Sequence, residues 1–309
     1  MPSPTSRRVS LPALRRLTRA TVVALTAIVA TGGAVRLTRS GLGCDSWPNC
    51  GHADGWHALV EYGNRLAGVA VGLVVVATIV AVHLLPQARR DLRRPAYLLG
   101  AGYVAQAVLG ALSVVLKLAP LLVMAHFLTS MVLVAVAATL HARTRSAADG
   151  PTRLRPELSW LSWGLLAGTA AVIVLGTLTT GTGPHSGANP ADPAQRFTFL
   201  PLHAITMLHG TAATAVVALA GANVLLLRVV GAPRALRTTA RWVVGAVVLQ
   251  AVIGFTQYAL GVPRGLVELH LLGATVLWLA VVGHQVALRR AAVPDPPKLP
   301  APAPAPARV

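Results

Sequence analysis

Charge is what this chain has least of. Of its 309 residues only 12% are charged and only nine are acidic, whereas a soluble domain averages about 25% charged residues. With 54% hydrophobic residues and a mean hydropathy of +0.64, the composition excludes an ordinary soluble domain and points to an integral membrane protein. The shortage of acid leaves a net charge of +18, yet Lys and Arg fall in short clusters between apolar runs and form no single basic surface. That distribution is a topology signal and argues against nucleic acid as a partner. Cysteine is scarce too. Cys44 and Cys50 are the only two, and two thiols alone make a weak metal site.

What the chain has is apolar length. A helix needs about 20 apolar residues to cross a hydrocarbon core of about 30 Å. Eight such runs are read at 18–36, 58–85, 96–118, 120–142, 159–180, 201–228, 239–261 and 265–288. The intervals 86–95, 143–158 and 229–238 are short, polar and Arg-bearing. If the N-terminus is cytoplasmic, 21 of the 27 Lys and Arg lie on that side, so the positive-inside rule places both termini in the cytoplasm. The start resembles a signal peptide, but the repeat described next requires the first span, which is read as retained. The expectation is an all-α integral membrane protein of the plasma membrane, with lipid around eight transmembrane helices arranged as two tandem four-helix bundles. The boundaries are a segment 1–17, a half 18–142, a linker 143–158, a half 159–288, and a Pro/Ala-rich tail 289–309 expected to be disordered.

The repeat rests on "VAQAVLGALSVVLKLAPLLVMAHFLTSMVL" from Val104 and "VLQAVIGFTQYALGVPRGLVELHLLGATVL" from Val248. They align without a gap at an offset of 144, placing Gln106 on Gln250, Gly110 on Gly254 and His126 on His270. Apolar alphabets match easily by chance, but a shared Q-A-V-x-G and a coincident His do not. Earlier in each half the match weakens, and Asn64 falls one residue short of His209. Four spans followed by the same four make a parallel repeat, so functional residues should occur in corresponding pairs.

Of ten histidines, His83, His141 and His284 lie near cytoplasmic helix ends, where an imidazole needs no special role. His52 and His185 fall in external loops, and His57 and His203 at external helix mouths. His126, His209 and His270 differ, each lying six to eight residues inside an apolar run, roughly 9–12 Å deep. Imidazoles opposed at one level on neighbouring helices are what axial ligation of a haem iron requires. Proton relay and helix-to-helix hydrogen bonding are the other readings. Zinc is disfavoured, because no third ligand of matching depth accompanies them.

Glu61, Asn64 and Arg65 in "EYGNRLAG" share one face of the second span, where charged groups cost about 2.5–3.5 kcal/mol each on insertion scales and usually mark function. Glu61 suits a proton donor or acceptor in a low-dielectric cleft. Arg65 can neutralise it or clamp an anionic group, and a buried ion pair that merely orients the helix is the plainer reading. Cys44 and Cys50, in "GLGCDSWPNCG", can come within disulfide range through a turn at Pro48 and Gly51. Such a bond on the oxidising side is either a staple or a redox-active pair.

Taken together, "TGGAVRLTRSGLGCDSWPNC", "HALVEYGNRL", "MAHFL", "TGPHSG", "LHG" and "ELHLLG" resemble haem A synthases, over nearly the whole chain from about 20 to 288. The resemblance implies an enzyme that oxidises a methyl group of haem O to a formyl group, giving haem A for terminal oxidases. It implies His209 and His270 as axial ligands of a haem B cofactor, and His126 as a ligand to the substrate haem O. Glu61 matches a catalytic glutamate, and Cys44 and Cys50 match an external cysteine pair. An upstream haem O synthase and a quinone or other electron acceptor follow as partners. One position departs from the family pattern, since Asn64 stands where many members carry a ligating His. An amide is a poor iron ligand, so either His126 holds the substrate alone beside an open position, or His57, about 10 Å outward on the same face, moves in. An open position beside His126 is the expectation. The rival class is a dihaem b-type electron carrier, which should carry a complete His pair in both halves. A proton-coupled transporter would instead place its polar residues at the midplane.

Overall fold

The computed structural model describes residues 9–51, 55–85, 89–145, 156–187 and 195–290. They form eight helices: α1 (Leu11–Leu37), α2 (Gly55–His83), α3 (Arg90–Val115), α4 (Pro120–Thr144), α5 (Pro156–Thr182), α6 (Leu202–Val229), α7 (Arg234–Ala259) and α8 (Arg264–Leu288). Each has 25–29 residues, about 38–44 Å at 1.5 Å per residue. All eight are apolar enough to span a membrane, and no β-strand occurs among the described residues. The chain is an all-α, multi-pass membrane protein.

Several helices outrun the apolar windows that announce them. α1 begins at Leu11, inside the segment 1–17 expected to precede it, because Ser10 caps it by accepting from the Ala13 amide at 3.3 Å and Pro12 suits the first turn. α7 begins at Arg234, five residues before the expected start. Apolarity marks the hydrocarbon layer, whereas a helix continues until its backbone is capped or broken, and arginines on the outlying turns reach to the interface. At the other end α3 stops at Val115, short of the expected 118, because Lys117 and Leu118 take left-handed conformations (φ 48° and 61°). Residues 291–309, most of the expected tail, lie outside the described residues.

The first four helices contact one another in a ring, α1 with α2 and α4, and α3 with α2 and α4. The last four repeat the pattern, α5 with α6 and α8, and α7 with α6 and α8. Contact between the two sets runs through α4 and α8, with α1 also meeting α8 and α5 meeting α4. The α3–α4 and α7–α8 turns share one backbone design at the offset of 144. Leu118 donates to the Ser113 carbonyl and Val262 to that of Gln257, both at 2.7 Å, and residues 117, 118, 261 and 262 all have positive φ.

Tight packing is concentrated away from the face that carries Cys44 and Cys50. One cluster joins Leu14, Val75, Leu92, Leu99, Val134 and Leu140. A second and a third centre on Leu165, Val243 and Val281 and on Leu158, Leu236 and Leu288. Toward the cysteine-loop face buried residues thin out. None lies between Glu61 and Val71 in α2 or between Ile205 and Val216 in α6. None precedes Met131 in α4 or Thr275 in α8. The helices are close-packed at one end and leave room between side chains at the other.

Candidate functional site

His126, His209 and His270 all fall in that more open section, six or seven residues into α4, α6 and α8, about 9–11 Å from the helix starts. α6 and α8 stand diagonally across the second ring of helices, and their two imidazoles face each other with ring centroids 6.4 Å apart at 77°. An iron bonded to one nitrogen of each ring at about 2.0–2.1 Å requires centroids about 6.3–6.5 Å apart when the three are collinear. The centroid separation falls in the range that two imidazoles on one iron require. His209 Nδ1 lies 3.1 Å from the Val172 carbonyl. A carbonyl only accepts, so Nδ1 carries the proton and Nε2 keeps its lone pair for a metal.

Each of the three rings rests against a glycine on the preceding helix. A Cβ on Gly176 would lie 3.1 Å from His209 Cε1, one on Gly254 3.0 Å from His270 Cε1, and one on Gly110 3.5 Å from His126 Cε1. One turn before two of these glycines a glutamine fixes the histidine's backbone: Gln106 donates to the His126 carbonyl at 3.0 Å and Gln250 to the His270 carbonyl at 2.6 Å. Gln106 also donates to the Ser130 hydroxyl, and Gly273 leaves space for the Gln250 amide. His126 Nδ1 and His270 Nδ1 are buried without a hydrogen-bond partner, as suits rings held by something other than polar side chains. The sequence alignment pairs these glutamines and glycines but gives them no task; only the packing of α3 on α4 and α7 on α8 does.

The first ring of helices lacks the second imidazole. α2 and α4 occupy the diagonal, and Asn64 accepts a 2.7 Å hydrogen bond from the Thr31 hydroxyl of α1. No aromatic ring packs against His126 among the described residues. His57 is engaged elsewhere, its Nδ1 2.9 Å from the Ser40 hydroxyl and its ring 3.9 Å from that of Trp56. No cluster of three or more His, Cys, Asp or Glu side chains fit to hold a metal ion occurs among the described residues. An iron already held by a porphyrin needs at most two protein ligands.

Glu61 and Arg65 organise the cysteine loop. Glu61 is 5% exposed; its Oε2 accepts from the Cys44 amide at 2.9 Å, and its Oε1 pairs with Arg65. Arg65 Nη1 donates to the carbonyls of Ser46, Pro48 and Asn49 at 2.7, 3.2 and 3.1 Å. Of the two tasks expected of Arg65, the structure shows neutralisation of Glu61, and the same guanidinium holds the loop. Cys44 and Cys50 form a disulfide with Cα atoms 4.9 Å apart. Gly43 permits the loop's descent, since a Cβ there would lie 2.5 Å from the His57 backbone.

Other histidines have tasks that their positions in sequence did not suggest. His284 is 1% exposed and bonded through both nitrogens, to Thr239 at 2.8 Å and Asn223 at 3.0 Å. It is a buried link among α6, α7 and α8, not an interfacial imidazole. His141 meets Thr18 at 2.9 Å, and His83 meets Tyr97 at 2.7 Å. His185, expected in a solvated loop, lies 2.7 Å from the Val262 carbonyl. His203 is exposed, and His52 lies outside the described residues.

Fold and site together define a multi-pass helical membrane protein with a facing imidazole pair in one four-helix set and a single imidazole at the same depth in the other. Residues 53–282 match the COX15-CtaA family, described as cytochrome oxidase assembly protein, and the chain belongs to that family. A heme A synthase of Shewanella oneidensis is 25% identical over 315 residues, covering 86% of this chain and 94% of the relative.

Proposed function

We propose that the protein is a haem A synthase, an oxidoreductase that converts a methyl group of haem O to the formyl group of haem A for terminal oxidases. The observation that carries this is the inequality of the two helix sets. His209 and His270 stand at the spacing for one iron, while His126 has no ring partner among the described residues and Asn64, on the diagonal helix, is bonded to Thr31. A fully ligated haem is suited to electron transfer, and a haem with one position open is suited to reaction.

On this reading His209 and His270 would hold haem B, which would supply one-electron redox chemistry, with a quinone or other acceptor as partner. His126 would ligate the substrate, with Asn64, bonded to Thr31, and His57, engaged by Ser40, outside the ligand set. Glu61 is the acid–base group at the substrate's edge, a carboxylate in low dielectric beside the cysteine loop. Arg65 holds its charge in place. Glycines at 110, 176 and 254 let the rings lie against their neighbouring helices. The substrate would come from a haem O synthase. Both termini lie in the cytoplasm and the cysteine loop lies outside the plasma membrane, in keeping with 21 of 27 cationic residues on the terminal side.

The test is chromatography of haem extracted from the purified protein. Haem B together with haem O and haem A is the expected outcome. Haem B alone, at two equivalents per chain, would replace this reading with a dihaem electron carrier.

A further inference from the structure

A groove of about 430 Å³ opens between α6 and α7, lined by Gly221, Val224, Leu225 and Arg228 from the first helix and Arg241 and Val244 from the second. The α6 residues recur at helical spacing on one face. Apart from the two arginines the lining carries no polar side chain. Arg228 is one residue from the end of α6, at the end opposite the cysteine loop, and Arg241 is seven residues into α7, about 10 Å from that helix's start, so the two cations line the groove at different levels. Gly221 lies seven residues deeper than Arg228, about 10 Å along the helix.

Among the described residues neither arginine has an anionic partner, and from 193 to 267 the chain contains no Asp or Glu. One turn before Arg241, the Nε of Arg237 is buried without a hydrogen-bond partner, adding a third cation to the same region. A single arginine at a helix end simply extends to water. Two arginines from different helices, both lining one apolar groove, instead match a molecule with a phosphate at one end and a hydrocarbon chain at the other. Guanidinium forks bind phosphate oxygens bidentately, and basic pockets between transmembrane helices near the cytoplasmic surface recognise anionic headgroups.

We propose that this groove is a specific site for an anionic glycerophospholipid. Arg228 and Arg241 hold the phosphate, and one acyl chain lies along Gly221, Val224, Leu225 and Val244. The glycine shapes the groove, since a Cβ at 221 would meet no atom within 4 Å; a large side chain there fills the space without displacing the fold.

The experiment is native mass spectrometry of the full-length, delipidated protein titrated with phosphatidylglycerol, phosphatidylcholine or inorganic phosphate. A one-to-one phosphatidylglycerol adduct, at least tenfold tighter than that of phosphatidylcholine and undisturbed by millimolar phosphate, is expected. Arg228→Gln/Arg241→Gln should weaken it about tenfold or more. Gly221→Trp, which keeps both arginines, should weaken it as well, and unchanged thermal unfolding of both variants verifies their fold. The proposal is overturned by equal binding of the two lipids, by displacement with inorganic phosphate, or by undiminished phosphatidylglycerol binding in either variant.

Discussion

Glu61 has two tasks that a single substitution can separate. One oxygen accepts the Cys44 amide and the other faces Arg65, so the carboxylate both seats the cysteine loop and sets a negative charge beneath it. Glu61→Gln retains an oxygen for the Cys44 amide and removes the charge. Arg65 then keeps its three loop carbonyls but loses its anionic partner, at a cost of about 1–3 kcal/mol for a largely buried group. The expected outcome is a protein with a slightly lower melting temperature, an intact disulfide by thiol alkylation and an unchanged His209/His270 haem spectrum, but no haem A. Normal haem A formation by Glu61→Gln would reduce the residue to a loop anchor. Loss of the disulfide in the same variant would assign the defect to the loop instead of the charge.

At the scale of helices, the imidazole seats make a graded prediction. The ring of His270 leans on Gly254 with 3.0 Å for an added Cβ, while that of His126 leaves 3.5 Å above Gly110. The first distance forces the ring to move, and the second is an ordinary contact. If His209 and His270 hold haem as proposed, Gly254→Ala should weaken its retention by about 1–2 kcal/mol, roughly tenfold, and shift its electron paramagnetic resonance signal. Gly110→Ala should leave haem content unchanged. Equal effects of the two would show that the glycines serve helix packing in general and not the rings. The depth of His126, His209 and His270 was legible in the sequence because polar residues are rare in these runs and stand out against a uniform background. The seats were not, because a glycine gains its meaning from the helix packed against it, and α3–α4 and α7–α8 packing is invisible in a run of apolar letters. His284 misled for the same reason: its partners Thr239 and Asn223 lie 45 and 61 residues away. Helix ends were also displaced, as at Leu11 and Arg234, because hydropathy reports the membrane and capping reports the helix.

For the molecule as a whole, the question is how two similar helix sets act as one protein. They meet mainly through α4 and α8, the helices that carry His126 and His270, so the contact that joins them also sets the relation between the two sites. Trp278 of α8 reaches across to donate to the Met131 carbonyl of α4 at 2.9 Å, and its ring packs on the core of the first set. Met131 lies five residues beyond His126, and Trp278 eight beyond His270, so this contact sits just below both histidine levels. In lipid, association between helices depends on close packing and interhelical hydrogen bonds, since the surrounding chains are as apolar as the side chains they replace. Removing the indole therefore loosens the join itself. Trp278→Ala is expected to destabilise the protein by about 2–4 kcal/mol through the space it leaves and, on the proposed haem sites, to perturb both spectra together. Trp278→Phe, which keeps one ring but loses the indole N–H donor and some volume, should cost less, about 0.5–1.5 kcal/mol for the hydrogen bond plus a smaller packing loss. Trp160→Ala provides the control, because that side chain is 79% exposed and touches neither site. Thermal unfolding followed in parallel by haem absorbance and tryptophan fluorescence measures all three. If Trp278→Ala altered one site and left the other untouched, the two helix sets would be independent units sharing a chain, and the α4–α8 contact would have no part in coupling them.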